Sequence, residues 1–403
     1  MRISTAQMFS QTTTSILQKQ TAAAKSLDQL SSGKKISSSG EDPVAALAID
    51  NLRQENALVE QYMKNIDYAT NRLGLAESSL GSAEDVAFSA RDLILRAANG
   101  ALTDNERQTI ADELQGNLDQ LLALANSRDE SGSFLFAGFN NETQPFAFNN
   151  SGDMVYQGDA GVRQALVARG VSVGTNIPGD LAFMQAPNGM GDYSVNYLTS
   201  QQGDFRVTSA SIANTAAYTA ESPDTYSFAF SDNGAGGIEV QITGGSGTTW
   251  NIDPVDPAAP LSFNGLEVRL SAVPAAGDSF SLEPQAEVSI FDSMSQAISL
   301  MRDEARFTSL AGKAELAQIL NNYDSGLEQL GNARGLAGNS LKSLESNETN
   351  HAELQLVNSS ALSLLEDLDY ASAISEFEKQ QLALNAVSNV FGKVNATSLF
   401  DYI

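Results

Sequence analysis

The stretch LSSGKKISSSGEDPVAALAI, Leu30 to Ile49, interrupts an otherwise helical pattern and decides how the chain is read on either side. A glycine and lysine entering a helix invite a phosphate-binding interpretation, because backbone N–H groups at a helix start attract anions. The spacing rejects it. A phosphate loop needs a second glycine five positions before its Gly-Lys pair, where this sequence has Asp28, and a Ser or Thr after the pair, where it has Lys35. A seam between two helices accounts for the residues instead. Gly33 takes the left-handed position that ends one helix, Lys34 and Lys35 complement the negative end of its dipole, and Asp42 caps a second helix whose first position is Pro43.

Downstream of the seam the apolar spacing is helical and long. From Leu52, the positions 52, 55, 59, 62, 66, 69, 73, 76, 80, 83, 87, 90, 94 and 97 alternate steps of three and four, and all are apolar or aromatic except Glu55. Sustained this far, the pattern predicts a coiled-coil seam, and its many alanines allow a partner helix to approach closely. Gly100 is expected to close that helix. Thr103 and Glu106 form a capping box that opens the next, which runs through Ile110, Leu114, Leu118, Leu121 and Leu122.

The composition changes after Ser131. Residues 131–286 place Gly, Asn, Asp and Pro turns between short alternating runs such as Tyr226–Phe230, Ile238–Ile242 and Leu266–Leu270, which are strand signals. This region has no lysine, four arginines and fifteen acidic residues. No D-x-[DN]-x-[DN]-G loop organises those acids for calcium, so they are expected in solvent, and Trp250 is expected to pack locally. From about Glu287 the helical rhythm returns through Leu316, Leu320, Tyr323, Leu327 and Leu330, through Leu341 and Leu344, and through Ala373, Phe377, Gln380, Leu384, Val387, Phe391 and Val394. The expected fold is therefore mainly α with a β-rich insertion, its terminal helices pairing antiparallel as a coiled-coil-like bundle beside an outer β domain. The boundaries read from composition are residues 1–130 helical, 131–286 β-rich with a variable insertion near 193–284, and 287–403 helical.

Composition also excludes function classes. A formal net charge of −26 over 403 residues argues against nucleic acid and anionic membrane, both of which demand positive surface. Without cysteine there is no thiolate catalysis, and the one histidine, His351, sits in a polar helical stretch where it reads as a solvated residue. No catalytic, cofactor-binding or metal-ligating set emerges. The paired acids Glu41-Asp42 and Glu366-Asp367 with Asp369 read as a helix cap and a solvated run. The opening MRISTAQMFSQTTTSILQKQ lacks the apolar core of a secretory signal, and no stretch approaches a membrane span.

Several tags in fixed order carry a resemblance. Leu30-Ser-Ser-Gly-Lys-Lys-Ile36 with Glu41-Asp-Pro-Val44 resembles the flagellin superfamily, and its junction-protein branch in particular. Phe134-Leu-Phe-Ala-Gly138, Thr143-Gln-Pro-Phe146, Tyr156-Gln-Gly-Asp159, Asp369-Tyr-Ala-Ser-Ala-Ile-Ser375, Gln380-Gln-Leu-Ala-Leu384 and Ser398-Leu-Phe-Asp-Tyr-Ile403 continue it. The resemblance implies a non-enzymatic, extracellular part of the bacterial flagellum that connects hook to filament, exported unfolded through the type III channel without a cleaved signal peptide. It implies self-association into a ring or tubular layer, another hook-associated protein and flagellin as neighbours, and an export chaperone at the C-terminal segment. No cofactor, nucleic acid or membrane insertion is implied.

The expected assembly residues are Ile3, Phe9, Ile16, Leu27, Leu30, Phe377, Leu384, Phe391, Phe400, Tyr402 and Ile403. Two rival readings stay open, a flagellin filament subunit and a carbohydrate-binding or hydrolytic surface protein that uses the β region. Charge agrees with pairing of the ends: residues 1–40 carry five cations and one anion, residues 353–403 seven anions and two cations. At exposed positions this attraction steers more than it stabilises.

Overall fold

The computed structural model describes residues 5–99, 102–149 and 152–396. In chain order the elements are α1 (Thr5–Ser32), α2 (Pro43–Asn99), α3 (Asp104–Ala125), β1 (Phe146–Phe148), β2 (Met154–Tyr156), β3 (Gln164–Ala168), β4 (Val171–Gly174), α4 (Gly179–Phe183) and β5 (Ala186–Pro187). Then follow β6 (Tyr193–Tyr197), β7 (Val207–Ile212), β8 (Tyr226–Asp232), β9 (Ile238–Gly244), β10 (Thr249–Ile252), β11 (Leu261–Phe263), β12 (Leu266–Leu270), β13 (Ser279–Pro284) and β14 (Glu287–Val288). The chain closes with α5 (Ile290–Arg302), α6 (Glu304–Phe307), α7 (Leu310–Glu366) and α8 (Tyr370–Ala396). The expected class, helical ends around a β-rich middle, is the observed one. Gly100 lies outside the described residues.

The chain forms two compact units, residues 1–64 with 346–403, and residues 65–345. Their limits, at 64/65 and 345/346, fall inside α2 and α7.

In the larger unit the stripe predicted on α2 is buried at every position from Ile66 to Ala97. Tyr323 of α7 donates to the Ala87 carbonyl at 2.9 Å, and Arg91 binds Asp324 through two hydrogen bonds of 2.5 and 3.1 Å. Arg334 reaches Glu77 and Glu84 at 2.7 Å each. The Thr103–Glu106 capping box opens α3 as the spacing predicts.

The β-rich stretch is not one body. Its first part, through Phe136, Phe146, Met154, Val167 and Phe183, packs into the same apolar cluster as α2, α3, α5 and α7. The aromatic tags there are fixed by Asp159, whose carboxylate accepts from the N–H groups of Phe139 (2.9 Å), Asn140 (3.0 Å) and Gly161 (2.7 Å). Those bonds, led by Phe139, hold Asp159 below the usual carboxylate range. Gly138 has φ of +69° there, and a Cβ would meet the Asp159 carbonyl oxygen.

A second cluster runs from Met190 to Leu282 and takes in Ala311 and Ala314 of α7. It lies between a five-stranded antiparallel sheet in the order β10-β9-β8-β13-β6 and a three-stranded one in the order β11-β12-β7. Phe263 of the smaller sheet meets Tyr226 and Phe228 of the larger at ring distances of 5.3 and 5.5 Å. Trp250 packs on Phe263 at 5.5 Å, a local packing residue as expected. Residues 193–284 carry β6 to β13.

Candidate assembly surface

The smaller unit is built around the opening seam. Gly33 adopts φ of +70°, its N–H donates to the Gln29 carbonyl at 2.9 Å, and α1 ends there as the sequence predicts. Asp42 Oδ1 accepts from the N–H groups of Val44 (3.1 Å) and Ala45 (3.0 Å), capping α2 at Pro43.

The lysines do more than complement a dipole. Lys34 Nζ lies 2.5 Å from Glu366, which also receives Arg53 at 2.7 Å. The main chain reinforces this link: Lys35 N–H donates to the Glu366 carbonyl at 2.7 Å, and Leu368 N–H to the Gly33 carbonyl at 3.0 Å. Hydrogen bonding from Lys34, joined by Arg53, holds Glu366 below the usual carboxylate range against the opposing effect of burial. Asp369 caps α8, accepting from Ala371 N–H at 3.0 Å and Ser372 N–H at 3.3 Å. The acids expected as a solvated run are thus an ion-pair hub and a helix cap, because the turn between α7 and α8 meets the seam loop.

His351 also departs from expectation. It is buried, with its ring stacked on Tyr62 at 5.5 Å. The reason is register: Leu330, Ala337, Leu344, His351 and Asn358 stand seven apart on α7 and are all buried, so the inward stripe continues through polar residues.

The terminal helices pair antiparallel as expected. Phe9 meets Phe391 at a ring distance of 5.1 Å, and Ser26 donates to Gln380 at 3.1 Å. Phe377, Leu384 and Phe391 are half-buried on the face of α8 that carries Gln380, so within one chain their partner is α1. Ile16 and Leu30 are half-buried, whereas Phe9 and Leu27 are exposed. Ile3, Phe400, Tyr402 and Ile403 lie outside the described residues.

A second apolar set was missed by the stripe reading. Leu364 is 81% exposed, Val44 79% and Leu382 75%, and Leu17, Leu47, Leu356 and Val357 are also mostly exposed. Against these, the hydrophobic residues buried in this unit among those described are Ile49 and Val59. The signal was available in the sequence: these are the leucines and valines left over once each helix has been given one inward stripe.

The bacterial flagellin N-terminal helical region matches residues 3–141. Flagellar hook-associated protein 3 of Salmonella typhimurium is 38% identical over 146 residues, covering 36% of this chain and 46% of that protein, so the alignment spans about half the length of this curated relative. The crystal structure of the flagellar hook-associated protein 3 of Legionella pneumophila superposes with a TM-score of 0.68 at 30% identity, over 79% of this chain and 98% of that one. The Xanthomonas campestris FlgL structure shares the fold at 22% identity and a TM-score of 0.64, over 77% of this chain and 99% of that one. Likeness over almost the whole of the Legionella structure, together with the order of the sequence tags, means that the chain belongs to the flagellin-like family of flagellar hook-associated protein 3.

Proposed function

We propose that this chain is a non-enzymatic structural subunit that connects hook to filament in the bacterial flagellum, through packing of its terminal helices. One observation carries the reading: among the described residues of the unit formed by 1–64 and 346–403, large apolar side chains on α1, α2, α7 and α8 are exposed and few are buried. Apolar surface on this scale in a soluble chain is a protein-interaction surface. Each such side chain contributes about 1.5–3 kcal/mol when a neighbour covers it. Copies of the same chain in a ring or tubular layer, a second hook-associated protein and flagellin are the neighbours that fit, reached by export without a cleaved signal peptide and with a chaperone on the C-terminal segment.

Cells lacking the protein should build hooks and release filament subunits into the medium. Normal filaments in such cells would reject the junction reading, and loss of filament material altogether would favour a filament subunit. The carbohydrate or hydrolytic reading would draw on acids of the β region, but Asp159, Asp232 and Asp278 accept from turn N–H groups and Asp224 accepts from the Tyr193 and Tyr218 hydroxyls.

A further inference from the structure

The turn between β8 and β9 reads Asp232-Asn-Gly-Ala-Gly-Gly237. A main-chain nitrogen following asparagine is least obstructed when it belongs to glycine. Among the described residues, Asn-Gly pairs occur at 188–189, 233–234 and 264–265. Asn188 is buried, with Oδ1 accepting from Met190 and Nδ2 donating to the Gln285 carbonyl. Asn264 is tied to Thr219 and to the Tyr226 hydroxyl.

The turn at Asn233 differs. The Gly234 N–H donates to the Asp232 carboxylate at 2.7 Å, so a proton acceptor sits on the nitrogen that would attack. Asn233 Oδ1 accepts from the N–H groups of Ala235 and Gly237, both at 2.9 Å, and Nδ2 donates to Asp253 at 2.7 Å. Asp232, Gly234, Ala235 and Gly236 are exposed, so water reaches the turn.

The geometry points to Asn233 as a self-modification site, where the Gly234 nitrogen closes on Asn233 Cγ and the asparagine becomes an aspartyl or isoaspartyl residue. A bond forms between Gly234 N and Cγ while Asp232 takes the N–H proton. The developing charge on Oδ1 is held by the two N–H donors. The Cγ–Nδ2 bond then breaks, and the nitrogen leaves as ammonia carrying the transferred proton. Water adds to either carbonyl of the five-membered imide and opens it, so the net change is one water consumed and one ammonia released. The product puts a further negative charge beside Asp232 and Asp253, and the isoaspartyl form adds a methylene to the backbone between two strands of the sandwich.

The test is peptide mass spectrometry on the full chain aged at neutral pH. Asn233 should convert at least about tenfold faster than Asn188 or Asn264, a modest share of what a positioned proton acceptor contributes. Asp232→Ala and Asp232→Ser should both slow it by a similar factor, the serine retaining a hydrogen-bonding oxygen in the turn without a carboxylate. In urea the three pairs should convert at one common rate. Conversion at Asn233 no faster than at Asn264 in the folded chain, or an unchanged rate in both Asp232 variants, would overturn the assignment.

Discussion

Lys34 Nζ lies 2.5 Å from the Glu366 carboxylate, fastening the loop after α1 to the end of α7. Glu366 has its pKa depressed in the folded chain, so its contribution is present above the unfolded glutamate value of about 4.3 and is lost as pH falls through the folded value. Glu366→Gln should therefore lower stability at neutral pH by about 1 kcal/mol, because Lys34 and Arg53 are half exposed and screened. The difference from the unmodified chain should vanish in acid. Melting temperatures across a pH series check this, and a difference that persists at low pH would mean that the charge is not what holds the loop.

Gly33→Ala tests the same loop through its backbone. The left-handed conformation at φ of +70° costs a residue with Cβ about 1–2 kcal/mol, and that Cβ would stand 2.9 Å from the Tyr370 hydroxyl. Combining it with Tyr370→Ala relieves the contact and leaves the backbone cost. Circular dichroism melts should show a partial recovery in the double variant; full recovery would place the whole effect on Tyr370.

Leu382 and Leu384 separate the outer face of α8 from the inner one. Leu382→Asp should leave the melting temperature of the isolated chain unchanged and abolish filament attachment in cells. Leu384→Asp puts a carboxylate on the face toward α1, so it should loosen the α1–α8 pair in the monomer, read as faster amide exchange across residues 9–30. Attachment that survives Leu382→Asp would remove the exposed stripe from the assembly surface.

The sandwich can be excised. Tyr193 and Pro284 are directly paired across β6 and β13, so their Cα atoms stand within about 4.5–5.5 Å and a short Gly-Ser linker can join the cut. Replacing residues 193–284 should keep the helical core folded and filaments attached. A soluble, exported variant that fails to attach filaments would show that the sandwich bears junction contacts.

Much of this molecule is written in local pattern. The alternation of three and four from Leu52 to Ala97 fixes a helix and its buried face, since only one stripe of a helix can point inward. Gly33, Asp42 and Thr103 mark their boundaries because a left-handed residue and a side-chain acceptor are local requirements of helix ends. What the pattern could not settle was decided by partners distant in sequence. Glu366 reads as one acid among several until the chain brings Lys34 and Arg53 to it, and His351 reads as polar until the register of Leu330, Ala337 and Leu344 carries it inward onto Tyr62. The sequence places an apolar stripe at Phe377, Leu384 and Phe391, but whether its neighbour belongs to the same chain depends on where the seam turns α1. That turn directs the stripe to α1 and leaves Leu382 and Leu364 facing outward, because burial belongs to a pair of surfaces and not to a residue.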